Sequence, residues 1–295
     1  MSVLRKIYSS LVDHRWLLGF IEEPLEDVIN HKPYEIHYVT GIPRDRWYAD
    51  PFILDYNDKQ IILLVEEWRY INHKGRIAKL IIDRNNYQLL DEIILLELDT
   101  HLSFPFIIRK DGKVYVAPEN SASGKWNLYE YDSVSEKLKP EKTIVSEPLT
   151  DAISTDLLGK TLIFSTRLSE ACGSVLSVYS SEGIKLQDID FHTRVARGAG
   201  DWFEIGSKIY RPAQDCNGGY GKAVIIQEIN NKSNGSYEFR DVLSIESTNL
   251  HFNRGCHTFN HYRELSVVDV YGYRRKWLGP FVDGVKDFCK KLYKG

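Results

Sequence analysis

Hydrophobic and polar positions along this chain alternate in short runs, and the runs recur at a fixed interval. Five segments share one pattern: a tight polar turn, an apolar pair, a loop with Gly, Asn or Asp, an alternating apolar strand, then polar residues. They are YADPFILDYNDKQIILLVEE from Tyr48, LSFPFIIRKDGKVYVAPEN from Leu102, LTDAISTDLLGKTLIFSTR from Leu149, GAGDWFEIGSKIYRPAQD from Gly198, and the loosest match, GCHTFNHYRELSVVDVYG from Gly255. Aligned on Asp50, Phe104, Asp151, Ala199 and His257, the steps are 54, 47, 48 and 58 residues, close to the roughly 50 of a propeller repeat. Runs such as RIAKLIIDR, WNLYEYD, SVLSVYS and AVIIQEI lie between them and supply outer strands. The pattern predicts an all-β, five-bladed β-propeller with short helical terminal additions. A β-sandwich accommodates many short strands but leaves the repeated leading motif unexplained.

The expected organisation is an N-terminal extension over 1–30, the propeller over 31–275 and an amphipathic C-terminal helix over 276–295. The stretch YEIHYVT, Tyr34 to Thr40, is expected to close the ring against the last blade. In the tail, Trp277, Leu278, Phe281, Val282, Val285, Phe288, Cys289, Leu292 and Tyr293 recur at helical spacing, with Lys286, Lys290, Lys291 and Lys294 elsewhere on the turn. Packing across the propeller is the favoured reading of this helix, and peripheral docking on an anionic membrane is the functional alternative.

Composition then removes several classes of function. A net charge of −3 on mixed signs gives no bulk field for nucleic acid, and 43% hydrophobic with 12% aromatic residues suffices for a core. The four cysteines lie far apart without CxxC spacing, so no structural zinc is expected. The first apolar run is interrupted by Asp13, His14 and Arg15, which reads as no signal peptide. A reduced cytoplasmic protein, at most peripheral to the inner face of the membrane, is the expectation.

In a propeller the first strand of each blade lines the central channel, so the leading ends of five distant repeats converge. That brings together Asp50, His101 beside the second blade, Asp151, Arg197 and His257. The far ends of the strands add Glu66 and Glu67, Glu119 and Asn120, Arg167, Arg211, Gln214 and Asp215, all polar where a structural strand stays apolar. Two carboxyl groups across a narrow channel suit glycosidic chemistry, one as acid and the other as base or charge stabiliser. Asp50 and Asp151 are the first candidates, with Glu67 or Glu119 as the acid, and mutual repulsion should raise one pKa. Among the aromatic residues near the leading ends, Trp47 and Trp202 are the expected sugar contacts, and the others are assigned to the core. No cofactor is predicted and no spacing demands a metal, although His101, His257 and the acids could meet around a divalent ion.

The motifs RWYADPFI with a following EE, HLSFPFI with APEN, RPAQD with a nearby YG, and GCHTFN together resemble the propeller domain at the N-terminus of plant glucosamine inositolphosphorylceramide transferases and in stand-alone bacterial relatives. The match spans roughly Arg46 to Asn260. More distantly, Asp50 in YADPF and Asp151 in TDAIS look like the base and the acid modulator of five-bladed glycoside hydrolases such as family-43 arabinanases and xylosidases. Those hydrolases carry their general acid Glu at the start of blade four, where this chain has Arg197, Gly198, Ala199 and Gly200. The resemblance therefore implies sugar transfer for cell-surface polysaccharide or glycolipid assembly, with Arg197, Arg211 and His257 holding the phosphates of a nucleotide-sugar donor and Asp50 activating the acceptor. A glycoside hydrolase and a non-catalytic glycan-binding propeller are the alternatives.

Overall fold

The structure, a computed structural model, describes residues 14–157, 159–231, 236–275, 277–282 and 284–285. Its strands form five four-stranded antiparallel sheets. Blade one is β3 (Arg46–Tyr56), β4 (Gln60–Arg69), β5 (Lys74–Asp83) and β6 (Leu89–Leu96). Blade two is β7 (Ser103–Lys110), β8 (Lys113–Glu119), β9 (Trp126–Asp132) and β10 (Lys137–Val145). Blade three is β11 (Leu149–Leu157), β12 (Lys160–Arg167), β13 (Val175–Ser180) and β14 (Lys185–Asp190). Blade four is β15 (Phe203–Ile205), β16 (Lys208–Asp215), β17 (Ala223–Asn231) and β18 (Tyr237–Ile245).

Blade five corrects the expected boundaries. Its inner pair is β19 (Gly255–Tyr262) and β20 (Leu265–Tyr273), but its third strand is β1 (His14–Ile21), drawn from within the stretch assigned to an N-terminal extension. All eight residues of β1 pair with β20, from His14 opposite Tyr273 to Ile21 opposite Ser266. The Tyr34–Thr40 stretch supplies only β2 (His37–Tyr38), an outer strand that pairs with β1 and not with β20. The misreading has a physical source: HRWLLGFI buries both faces and shows no alternation, so its apolar run resembles a helix as much as a strand. Between β1 and β2 a short helix, α1 (Leu25–Ile29), buries Leu25, Val28 and Ile29.

Three apolar clusters fill the spaces between sheets. The first joins blades one to four through Phe52, Phe106, Trp126, Phe164 and Ile229. The second sets Val224 and Ile226 against Phe259, Val268 and the α1 residues, and the third sets Leu18, Phe20 and Val267 against Leu63 and Val65. Of the predicted C-terminal helix, residues 278–282 are helical, Trp277 and Phe281 are exposed, and the remainder lies largely outside the described residues.

The inner strands share a local device. Each of β3, β7, β11 and β19 breaks register near its leading end. At that break Asp50, Phe104 and Asp151, three positions equated in the sequence repeat, take φ of 50°, 43° and 44°. A bulge with a left-handed residue turns its N–H away from the ladder, and a buried N–H needs another acceptor. Polar side chains from adjoining strands supply it. Asp269 accepts from Asp50 N at 2.8 Å, Asp50 from Phe104 N at 3.0 Å, and Glu119 from Asp151 N at 3.0 Å. Blade four is seated similarly: Asn260 Oδ1 accepts from Asp201 N at 2.8 Å, and Ala199 O from Phe259 N at 2.7 Å. A Cβ on Gly200 would stand 2.0 Å from Phe259 O, so this contact requires glycine.

Candidate active site

The same bulges that orient the backbone place carboxyl groups around the leading end of the channel. Asp50, Glu66, Glu119, Asp151 and Asp269 are all buried there, facing two cations, Arg197 and His257. Arg197 Nε donates to Asp151 Oδ2 at 2.5 Å, and its Nη2 lies 3.7 Å from Glu119 Oε2. Gln214 Nε2 donates to the same Asp151 oxygen at 2.7 Å. His257 Nδ1 contacts Asp269 Oδ1 at 2.7 Å, while its Nε2 stands 3.4 Å from Asp50 Oδ1. Thr258 Oγ1 donates to that Asp50 oxygen at 2.9 Å.

Five acids against two cations in a buried space must hold protons. Burial, reinforced by Asp151, pushes Glu119 up to about 8, although Arg197 opposes it. Burial pushes Asp50 up to about 6 against the pull of His257, and raises Glu66 well above the usual carboxylate range. Burial disfavours the imidazolium of His257, but Asp269 and Asp50 outweigh it and raise its pKa. A neutral Glu119 and a largely ionised Asp50 therefore coexist at pH 7.

Aromatic rings wall this end of the channel. Trp16 stacks on His257 at 3.8 Å with 21° between planes, and Tyr220 meets the same ring edge-on at 5.5 Å. Trp47 stacks on Trp68 at 5.5 Å and approaches Trp16 at 6.5 Å, while Trp68 meets His101 at 5.5 Å. The Arg197 guanidinium lies over Tyr220 at 5.1 Å, and Tyr220 is 43% exposed, so this ring borders solvent. Such faces accept the C–H surface of a sugar ring.

Of the residues picked from sequence, the structure gathers Asp50, Asp151, Glu119, Arg197, Gln214 and His257, with Trp47 and His101 on the rim; His101 Nε2 lies 3.6 Å from Glu66. Five others lie elsewhere. Glu67 points away from the channel, bound by Arg76 through 2.8 and 3.0 Å contacts and by Arg46 at 3.2 Å. Its neighbour Glu66 takes the channel side, because successive side chains of a strand face oppositely. Arg211 is fully buried, donating to Val195 O, Ala196 O and Gln227 Oε1 beneath Phe191 and Phe239. Trp202 is core, 4.3 Å from Phe164. Arg167 is exposed beside Asp188 at 3.5 Å, and Asp215 accepts from the Asn217 backbone and side chain in the loop after β16. The expected phosphate cradle of Arg197, Arg211 and His257 is therefore not assembled: Arg211 is absent from it, and the other two are engaged by carboxylates.

Sequence reasoning missed Asp269, Trp16 and Trp68, assigned Tyr220 to the core although it borders solvent, and set Glu66 aside for Glu67 as the candidate acid. Asp269 interrupts the apolar run SVVDVYG, and an acid inside a buried strand was a usable signal. For a metal, Asp50, His257 and Asp269 lie close enough to share an ion. The donor set does not fit one: Asp269 already accepts from Asp50 N, His257 N and Thr258 N and contacts His257 Nδ1, leaving little lone-pair capacity for a cation.

The family described as "Glucosamine inositolphosphorylceramide transferase 1, N-terminal" matches residues 39–284. Glucosamine inositolphosphorylceramide transferase 1 of Arabidopsis thaliana is 30% identical over 224 residues, which are 71% of this chain and 29% of that protein. Its namesake in Oryza sativa subsp. indica is 25% identical over 207 residues, 64% and 27% of the two chains. The chain thus spans less than a third of the length of these relatives. Among solved structures, the RS223 β-xylosidase superposes with a TM-score of 0.52 at 10% identity, over 77% of this chain and 92% of that one. An exo-1,5-α-L-arabinanase from a bovine ruminal metagenomic library gives 0.50 at 13%, over 71% and 86%. At such identities the likeness is one of fold.

Proposed function

The chain belongs to the glucosamine inositolphosphorylceramide transferase N-terminal family, and on that premise we propose that its channel carries out glycosyl transfer on a glycan or glycolipid, assisted by a carboxyl pair. Glu119 is the acid: neutral near pH 7, it gives its proton to the departing oxygen. Asp50 is the base that takes the proton of the attacking hydroxyl, and His257 beside it favours its ionised form. Asp151, fixed by Gln214 and Arg197, faces the developing positive charge on the sugar. Trp47, Trp68 and Tyr220 hold the ring. The observation that carries this reading is the gathering, in one aromatic-walled space, of five buried carboxyl groups against two cations, an excess of acid that lets one carboxyl keep its proton while another releases it. Because both cations of the mouth are held by carboxylates, the leaving group is expected to depart with Glu119's proton and not on arginine-bound phosphate.

The test is to incubate the chain with nucleotide sugars, aryl glycosides and oligosaccharides and to follow product. Turnover of any of them should fall about 10²- to 10⁴-fold in Glu119→Gln and in Asp50→Asn. Unchanged turnover in Glu119→Gln would overturn the assignment. One observation favours a second reading, a propeller that binds glycan without reacting: Asp50 already accepts from Phe104 N and Thr258 Oγ1, as a cross-blade staple would. That reading requires sugar affinity without turnover.

A further inference from the structure

Four large apolar side chains stand out of the surface at the leading end of the blades. Ile71 follows β4, Leu250 precedes β19, and Trp277 and Phe281 follow β20, with exposures of 84%, 87%, 83% and 68%. Two contacts draw them into one patch. The Arg274 guanidinium lies over the ring of Tyr70 at 3.5 Å, which ties the segment after β20 to the Ile71 turn, and Trp277 meets His251, the neighbour of Leu250, at 6.1 Å. The patch adjoins the channel mouth, because Tyr271 near the end of β20 donates to Tyr220 O at 3.1 Å.

The helical segment carries its apolar stripe on the outside. Residues 278–282 and 284–285 are helical, and the segment is seated on blade five by Gly279, which is buried and where a Cβ would stand 2.7 Å from the Tyr273 ring. Trp277, Phe281 and Val285 recur every four residues, so they share one side of the turn, and all three are exposed. In the sequence Phe288 and Leu292 continue the same spacing. An amphipathic segment that packed across the propeller would bury this stripe; here a glycine takes the inner side and the rings face solvent.

We propose that this face docks the chain on an anionic lipid bilayer, with Ile71, Leu250, Trp277 and Phe281 entering the headgroup region. Charge selects that occupant over a second copy of the chain. From Arg274 to Gly295 there are seven cations and two acids, in a chain whose net charge is −3. Two such segments repel each other when their faces meet, whereas acidic headgroups attract them. Among the described residues no helix is long and apolar enough to cross a membrane, so the contact is interfacial. Docking brings the mouth to the lipid surface and does not depend on the reaction proposed for it.

Co-sedimentation of the whole chain with vesicles tests this. Mixed phosphatidylcholine and phosphatidylglycerol vesicles should bind it at least about tenfold more tightly than phosphatidylcholine alone, and high salt should release it. Trp277→Ser and Phe281→Ser should each weaken binding about tenfold. Both side chains are exposed, so circular dichroism and the urea midpoint should stay at the parent values. Glu119→Gln, in the mouth, should bind vesicles as the parent does, and Trp277→Ser should leave turnover of a soluble substrate unchanged, so loss of docking and loss of chemistry are read apart. No binding to either vesicle, equal binding to both, or parental binding by the double variant Trp277→Ser, Phe281→Ser would overturn the proposal. So would a dimer in sedimentation velocity that binds no vesicle and dissociates in the double variant, which would give this face to a second copy.

Discussion

Glu66 and Glu67 are adjacent in β4 and inhabit opposite electrostatic worlds. Around Glu67 stand the guanidinium groups of Arg46, Arg69 and Arg76, and Glu92 and Glu97 balance them from the outer strand and the loop that follows. Charge there is matched and the contacts are short. Around Glu66 lie Asp50, Glu119, Asp151 and Asp269, with Arg197 and His257 too few to neutralise them. The first cluster ties all four strands of blade one together; the second stores protons at neutral pH. Matched charges build the scaffold, and the imbalance a strand's width away makes carboxyls labile enough for chemistry.

The largest effects should come from breaking whichever group satisfies most partners. Glu67→Gln removes the fully buried charge that Arg46, Arg69 and Arg76 share and leaves them only Asp45, Glu92 and Glu97 at its edge, and Asp269→Asn withdraws a charged acceptor from three backbone N–H groups and an imidazole. Each should cost about 3–5 kcal/mol in urea unfolding. Glu66→Gln should cost far less, because burial and the surrounding acids already favour the neutral form of Glu66. Equal losses for Glu66→Gln and Glu67→Gln would erase the contrast.

Next in size is the pH dependence. Asp50, Glu119 and His257 all bind a proton more tightly folded than unfolded. The carboxyl contributions are complete below the unfolded carboxylate pKa near ~4 and decline as pH rises through about 6 for Asp50 and about 8 for Glu119. The His257 contribution is complete below its unfolded value and disappears as pH passes its raised folded value. All three have the same sign, so the urea midpoint should fall between pH 5 and pH 8, and Glu119→Gln should flatten the slope. A midpoint that rises over this range would show the mouth to be charge-balanced after all.

Smaller effects separate the rim from the periphery. Trp47→Ala, at a half-buried ring stacked on Trp68, should weaken sugar binding roughly tenfold in calorimetry, about 1.4 kcal/mol. Arg167→Ala breaks only an exposed 3.5 Å pair with Asp188 and should change stability by less than about 0.5 kcal/mol, with no effect on sugar binding.

Much of this was legible in the chain, because a propeller repeats and its repeats put equivalent positions at equivalent places. Asp50 and Asp151, equated by alignment alone, share a bulge and a left-handed φ. What the alignment could not give was parity. Near each bulge the register slips, and one residue of slip exchanges the two faces of a strand. Glu67 was therefore taken for Glu66. Arg211 was placed in the channel together with Gln214, although residues three apart on an unbroken strand face opposite sides and only Gln214 reaches Asp151. Trp16 and Asp269 were hidden for a different reason. Their roles arise only where β1 and β20 pair, and that contact joins the two ends of the chain.

That closure has a consequence for synthesis. Chain growth runs from β1 to β20, so β1 waits without its main partner while the intervening blades are made. His257 and Asp269 are among the last of the sheet residues to emerge, and they must meet Trp16 from the first strand and Asp50 from the next blade. A fragment lacking blade five would keep Glu119, Asp151 and Arg197 yet lose the imidazole, the acceptor for Asp50 N and the partner that holds Trp16. The site is thus the seal of the ring, and an incomplete chain has no finished mouth to expose to sugar.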